Sequence, residues 1–372
     1  MSDVVRVESL KSDLGVARIV SLPRPELEKG WVRVEIERVA LTTNNMSYAV
    51  FGDALGYWNL FPAADTDHGC MPAWGFAHVT ESRVDQIVEG TRVFGYFPLS
   101  NELVMRPTAI TTRSFVDAAA HRTGTPKVYN VYEIKAEAAS ARSDSFVSIF
   151  RPLFITSYTA ADFLRERNYF GAGQIVISSA SSKTAYGIAH CIAGDASVVK
   201  IGLTSARNGD FVRQLGCYER IAEYGDLASV DRDVPTLYVD LAADPELRRR
   251  VHEHFGDSLV YDCLVGSTQG VQLPDPAAPD ENLPGPQPEF FFAATQLDAY
   301  KAAGQARAFM AQYERDELSF TERVADIRNP WMRLEEHRGL VDAPSVIAQL
   351  HDGTVDPAVG HIFEIQPTGA GE

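Results

Sequence analysis

The feature that most limits the fold is the alternation of short apolar runs with helix-forming segments between residues 157 and 264. QIVISS at 174–179 is an uncharged, β-branched run, as expected of a strand buried on both faces of a parallel sheet. Helices are predicted before it, over 157–167, and after it, over 182–193. SVVKIGLT at 197–204 predicts a second strand and 209–215 a further helix, with short strands expected near Arg220, Tyr238 and Val260. Strands and helices in this succession build right-handed βαβ units on a parallel sheet. Lys200 falls inside the second run and predicts a position near an edge of that sheet.

The flanking sequence has a different character. WVRVEIERVAL at 31–41 alternates apolar and charged residues with period two, the pattern of a strand with one wet face. Similar runs at 77–80 and 92–97, separated by Gly, Pro, Asn and Asp, make the first 150 residues an antiparallel, barrel-like unit. The Pro-rich, acidic stretch QLPDPAAPDENLPGPQP at 272–288 predicts a boundary loop. From Phe290 an aromatic run, a polar helical stretch at 299–317 and a β-like piece at 361–365 follow, too small and mixed for an independent third domain.

With 34 Lys plus Arg against 50 Asp plus Glu, the net charge of −16 argues against nucleic acid and anionic membranes as partners. No apolar run approaches the roughly 18 residues a membrane span needs. The opening MSDVVRVESLKSD lacks the apolar core of a secretion signal, so a cytoplasmic protein is expected. Cys70, Cys191, Cys217 and Cys263 are scattered and read as reduced core residues.

A dinucleotide site needs a strand that ends in a tight turn, so that backbone N–H groups and the next helix N-terminus face the pyrophosphate. The strand at 174–179 runs into SASSKTAYG at 179–187, where Ala180, Ser182 and Ala185 hold the three positions that a glycine fingerprint would fill. All three are small and none is glycine. The hydroxyls of Ser179, Ser181, Ser182 and Thr184 and the Lys183 ammonium are groups that can themselves bind phosphate. An ordinary Ser-rich helix start is the competing reading.

Several stretches together carry a resemblance. SVVKIGLTSARNGDFVRQLGCYERIAEYGD at 197–226, FITSYTAADFL at 154–164, EGTRVFGY at 89–96 and ALTTNN at 40–45 occur in the order of corresponding segments in the medium-chain dehydrogenase/reductase superfamily. The chain resembles an uncharacterised bacterial branch of it, on the quinone-reductase side. The resemblance implies an α/β protein with a GroES-like β-barrel domain over 1–150 and a Rossmann doubly wound parallel sheet over 151–275. It also implies a segment over 276–372 that returns to the catalytic domain, and an active site in the cleft between domains. It adds Tyr224, Gly266 and Thr268 to the expected cofactor contacts.

At the end of the second strand Thr204 and Ser205 are followed by Arg207, where NAD-selective sites carry an acid for the ribose hydroxyls. This favours NADP, although an exposed loop arginine would look the same. Zinc-dependent members place a cysteine and a Gly-His-Glu motif where this chain has Thr42 to Asn45 and Gly75-Phe76-Ala77, so no zinc is expected. His68 beside Asp67 lacks partners at ligand spacing.

Catalysis without metal would rest on phenols and amides that orient a carbonyl or donate a proton. Asn44, Asn45 and Tyr48 lie at the matching barrel position, with Tyr57, Tyr129, Asn130 and Tyr132 as further candidates; packing is the other use of a buried tyrosine. The sequence thus points to a zinc-independent NADP(H)-dependent oxidoreductase acting on a small carbonyl, enone or quinone-like molecule, with homodimerisation left open. A lyase-like non-redox enzyme and a nucleotide-sensing protein without turnover are the rivals. Two other strings are set aside: Gly256 to Leu259 spells a GDSL esterase motif in the wrong context, and Lys183-Thr184 ends a Walker-like loop without its glycines.

Overall fold

Alternating apolar positions in the first third of the chain become strands. They are β1 (Val4–Leu10), β2 (Asp13–Leu22), β3 (Val32–Leu41), β4 (His68–Gly69), β5 (Pro72–Ser82), β6 (Arg92–Pro98), β7 (Glu102–Met105), β8 (Pro107–Thr108), β9 (Ser114–Asp117) and β10 (Val131–Lys135), with helix α1 (Thr43–Val50) between β3 and β4. The computed structural model describes residues 3–136, 140–265 and 283–365. Helix α2 (Ala141–Glu166) follows, then β11 (Gln174–Ile177), α3 (Lys183–Cys191), β12 (Val199–Thr204), α4 (Gly209–Leu215), β13 (Arg220–Glu223), β14 (Thr236–Asp240), α5 (Pro245–Phe255), β15 (Leu259–Leu264) and β16 (Glu289–Phe290). The chain ends through α6 (Ala293–Ala302), α7 (Ala306–Ala325), β17 (Arg333–Arg338), α8 (Ala343–His351) and β18 (Val359–Glu364).

These elements form two compact units, one of residues 1–149 with 333–372 and one of 150–332. In the first, β2, β1 and β4 make a small sheet, and a larger one runs β17-β18-β3-β5-β6-β10-β9-β8, with β7 also paired to β3. The inward residues of β3, Val34, Ile36, Val39 and Leu41, pack with Ala77, Val79, Val93 and Phe97 and with Val346, Ile347 and Leu350 of α8. The start of α2 is pinned here by charge. Arg92 bonds both Glu37 (2.9 Å) and Asp144, and Arg38 reaches the Ala141 carbonyl (2.8 Å) and Ser145 Oγ (3.1 Å).

The second unit holds a parallel sheet in the order β13-β12-β11-β14-β15-β16, in which the strand order reverses between β11 and β14, as in doubly wound nucleotide-binding folds. Lys200 corrects an expectation. Its strand β12 lies between β11 and β13 rather than at an edge. The side chain is buried, and its ammonium bonds the Asp195 carbonyl (3.0 Å) and Glu219 (2.6 Å) at the strand's start. Burial of such a stem is tolerable because the charged head is paired.

The helices after residue 290 also differ from the expected return to the first unit at 276. Phe309, Tyr313 and Phe320 of α7 are buried and meet an aromatic stripe on α2, with Phe154 stacked on Phe320 (ring centroids 4.5 Å) and Tyr158 against Phe309 (5.4 Å). This aromatic packing holds α7 in the Rossmann unit, and the chain re-enters the first unit only at Arg333. Gly304, at φ +71°, divides the single predicted polar helix into α6 and α7. No helix among the described residues is long and apolar enough to cross a membrane.

Candidate functional site

The turn after β11 is built by bonds from three neighbouring strands. Buried Ser178 donates to Asp240 (3.0 Å) and accepts from the N–H groups of Leu241 (2.9 Å) and Ala242 (3.1 Å), tying the ends of β11 and β14 together. Asp240 also accepts from Ala243 N–H (2.9 Å) and pairs with Arg248 (2.5 Å). Ser179 takes φ +47°, an uncommon conformation for a residue with a side chain, and its N–H donates to Tyr224 Oη (3.1 Å). Burial raises the Tyr224 phenol pKa, so this hydroxyl stays protonated at neutral pH.

The missing glycines have structural substitutes. Ala180 is fully buried and fits because the facing residue of β12 is Gly202, whose added Cβ would lie 3.1 Å from the Ala180 Cβ. Ser182 caps α3 by accepting the Ala185 N–H (3.3 Å), and Ala185 is buried where the helix meets the sheet. Gly187 then allows close approach to α2, where Ser157 Oγ donates to the Thr184 carbonyl (3.0 Å). The turn and the next loop are joined by Asn208, whose amide donates to Ser181 Oγ (3.1 Å). Thr204 is buried, Ser205 half-buried and Arg207 exposed. Gly266 and Thr268 lie outside the described residues.

Asn208, Gly202, Tyr218 and Asp240 escaped the sequence reading. Gly202 carried a signal, since glycine inside an apolar strand marks close approach of another group; an acid closing the run TLYVD was a second. Tyr218, which donates to the Ala180 carbonyl (3.0 Å), and Asn208 had none, because their partners lie 38 and 27 residues away.

In the other unit four tyrosines gather. Tyr48 lies 5.1 Å from Tyr57, 5.2 Å from Tyr96 and 6.0 Å from Tyr129 between ring centroids. The Tyr57 and Tyr129 hydroxyls are 3.0 Å apart, and Trp74 Nε1 donates to Tyr48 Oη (3.2 Å). Burial drives the Tyr48 phenol far above its ordinary pKa, against the lowering effect of bonds from Trp74 and Asn44. The cluster is therefore a set of neutral hydroxyls. Asn44, Trp74 and Tyr129 are half-exposed and form its accessible side.

Three candidates stand elsewhere. Asn45 accepts the Thr42 N–H (2.7 Å) and donates to the Pro72 carbonyl (2.8 Å), closing a capping box on α1. Tyr132 is fully buried among core residues, donates to the Tyr96 carbonyl (2.6 Å) and accepts from Arg122 (3.0 Å). Asn130 donates to Thr125 (2.9 Å) and accepts from Arg122 (3.1 Å). Each of these polar groups is occupied by the fold. At the positions compared with zinc ligands, Gly75 packs against the Arg38 carbonyl and Phe76 is buried, while His68 bonds exposed Asp65 (2.7 Å). Cys70 sits buried beside the tyrosines, its thiol pushed up to about 12 by burial.

Solved structures share this architecture. CurA from Vibrio vulnificus in complex with NADPH superposes with a TM-score of 0.60 at 12% identity, over 97% of this chain and 99% of that one. The CurK enoyl reductase gives 0.54 at 13%, over 98% and 99%, and mycobacterial Rv1454c complexed with NADPH gives 0.53 at 12%, over 97% and 99%. At such identity the likeness establishes the fold, a GroES-like β-barrel unit with a Rossmann unit, as in medium-chain dehydrogenases/reductases. No curated protein matches the sequence. The profile of the family described as "Protein of unknown function (DUF2855)" matches residues 39–356, and the chain belongs to that family.

Proposed function

We propose that this protein is an NADP(H)-dependent oxidoreductase that acts, without a metal, on a small carbonyl, enone or quinone-like substrate. The observation that carries the reading is the loop after β12, where Ser205 and exposed Arg207 follow the strand and no acid occurs through Gly209. A guanidinium there suits the extra 2′-phosphate of NADP, whereas NAD-selective sites have an acid for the free hydroxyls. CurA and Rv1454c, which share the fold, were solved with NADPH.

The residues fit the cofactor. Gly202 makes room for Ala180 at the turn, and the α3 N-terminus with Ser182, Lys183 and Thr184 would hold the pyrophosphate. The bound nicotinamide would supply the hydride. The chain's own part is played by Tyr48, whose neutral hydroxyl, held by Trp74, would donate a hydrogen bond or proton to a carbonyl oxygen as charge develops on it. Asn44 would orient the same oxygen, and the neutral hydroxyls of Tyr57 and Tyr129, 3.0 Å apart, would stand beside it as further hydrogen-bonding groups of the cluster. No step requires a metal, in keeping with Thr42 to Asn45 and Gly75-Phe76-Ala77 at the zinc-ligand positions.

One observation favours a second reading, a lyase-like enzyme or nucleotide-free protein on the same fold. Ser179 N–H and Ser181 Oγ already have protein partners in Tyr224 and Asn208. Mass spectrometry of small molecules released from purified protein, followed by NADPH oxidation with a panel of enones, quinones and aldehydes, separates the two. Released or titrated NADP with carbonyl-dependent oxidation supports the first; a chain that binds neither NADP nor NAD overturns it.

A further inference from the structure

The last two strands assemble a cluster that the proposed turnover does not use. β17 and β18 run parallel with Glu335 paired to His361 and His337 to Phe363. Side chains two apart on a strand share a face, so Glu335, His337 and His361 converge. Their donor atoms all lie within 4.8 Å of one another. His337 Nε2 is 3.1 Å from His361 Nδ1 and 3.7 Å from Glu335 Oε1, and the third edge, His361 Nδ1 to Glu335 Oε1, is 3.9 Å. A tetrahedral ion with bonds of about 2.0–2.1 Å needs ligand atoms roughly 3.3 Å apart. The triangle is close to that size before any ion draws it in.

Two contacts prepare the rings for this use. Asp342 Oδ2 lies 3.2 Å from His337 Nδ1, which places the proton on Nδ1 and turns the Nε2 lone pair toward His361. A carboxylate behind a histidine is the arrangement that fixes tautomer and ring orientation in metal sites. The His337 ring also stacks on Phe363, with centroids 4.6 Å apart and planes 14° from parallel. Both histidines are buried, while the Glu335 side chain is 54% exposed, so the donor set has a dry inner wall and an entrance on one side.

We propose that Glu335, His337 and His361 bind one divalent transition-metal ion of the zinc class, with Asp342 orienting His337 and a fourth position open to water. Two imidazoles and one carboxylate suit such an ion better than magnesium or calcium, which prefer oxygen. The site is separate from the tyrosine cluster. His361 pairs with Leu41 of β3, whereas the adjacent Ala40 pairs with Trp74, and neighbouring strand residues point to opposite faces. The ion would fasten β17, which borders the large sheet, to β18.

The test uses untagged, full-length protein stripped with chelator, titrated with Zn²⁺ by calorimetry and with Co²⁺ by visible absorption. Saturation at one ion per chain, with Co²⁺ bands of a four-coordinate site displaced by Zn²⁺, is expected. His361→Ala should abolish the bands, Asp342→Asn should weaken binding about 10- to 100-fold, and His68→Ala should leave it unchanged. Glu335→Gln changes an exposed residue, so it keeps the measurement informative if His361→Ala does not fold, and it should weaken binding at least about tenfold by the loss of an anionic ligand. Absence of saturable binding to wild-type protein, or full affinity retained in folded Glu335→Gln and Asp342→Asn, would overturn the proposal.

Discussion

Ser179 holds a left-handed backbone in a turn fixed on both sides: its N–H donates to Tyr224, its carbonyl accepts the Ser182 N–H (2.7 Å), and the flanking Ser178 is bonded to β14. Such strain persists where the surroundings over-determine it, often at ligand sites. At this scale two substitutions test the proposed chemistry. Arg207→Ala should weaken NADPH binding by roughly 10- to 100-fold, the worth of a charge-assisted phosphate contact of about 1.5–3 kcal/mol, while NADH affinity stays unchanged. Calorimetry with both nucleotides measures it, and equal losses for both would remove Arg207 from the 2′-phosphate. Tyr48→Phe should lower turnover by about 10² to 10³ with little change in nucleotide affinity. Stability should fall by no more than about 1 kcal/mol, because Trp74 loses one acceptor and the ring packing survives. Steady-state kinetics beside a thermal melt separates these two effects.

Among the elements, α3 decides how the turn proposed to hold the pyrophosphate is presented. It approaches α2 closely at Gly187, where a Cβ would come within 2.5 Å of Ser157 Oγ, the group that bonds the Thr184 carbonyl. Gly187→Ala should therefore force the helices apart, cost about 1–3 kcal/mol and weaken nucleotide binding by displacing the α3 N-terminus. Ser157→Ala removes the obstructing hydroxyl, so the double variant should recover part of the loss in Tm. Failure of that rescue would show that the crowding lies elsewhere. Gly75→Ala should be harsher. Its Cβ would meet the Arg38 backbone carbonyl, which has no side-chain freedom to move.

Across the whole molecule, a chain with net charge −16 sets several of its carboxylates against arginines, Glu8 and Glu37 among them. Burial by itself would raise the pKa of Glu8 and Glu37. Arg18, the Ala64 N–H and Arg6 hold the first below its ordinary value, and Arg92 and Arg38 hold the second. A depressed carboxylate contributes stability that is complete above its unfolded pKa and disappears as the pH falls through the folded value. The wild-type Tm advantage over Glu37→Gln should thus be largest near neutrality and shrink below about pH 4.5, the range in which unfolded carboxylates take up protons. Thermal melts from pH 7 to pH 3 measure this, and an advantage that does not shrink toward acid would exclude the ion pair as its source.

Local pattern alone determined that a parallel α/β unit lies near 174–264 and that 31–41 is a strand, because hydrophobic period reports regular structure. The wet face expected of that strand is not found, since β3 lies between β18 and β5 and its Arg33 and Arg38 are buried and paired with Glu102 and Glu37. It also marked the Ser-rich turn and the Thr204 to Arg207 loop, whose residues stay adjacent in any fold. What required the tertiary structure was every assignment that depends on partners distant in sequence. Asn45 and Tyr132 are chemically suited to catalysis, yet the fold gives their polar groups to Pro72 and Thr42, and to Tyr96 and Arg122. The segment near 300–325 joins the Rossmann unit through aromatic contacts with residues about 160 positions earlier. Glu335, His337 and His361 have no ligand-like spacing, because parallel strands can pair only after a crossover connection; here the chain through α8 returns to set His361 beside Glu335.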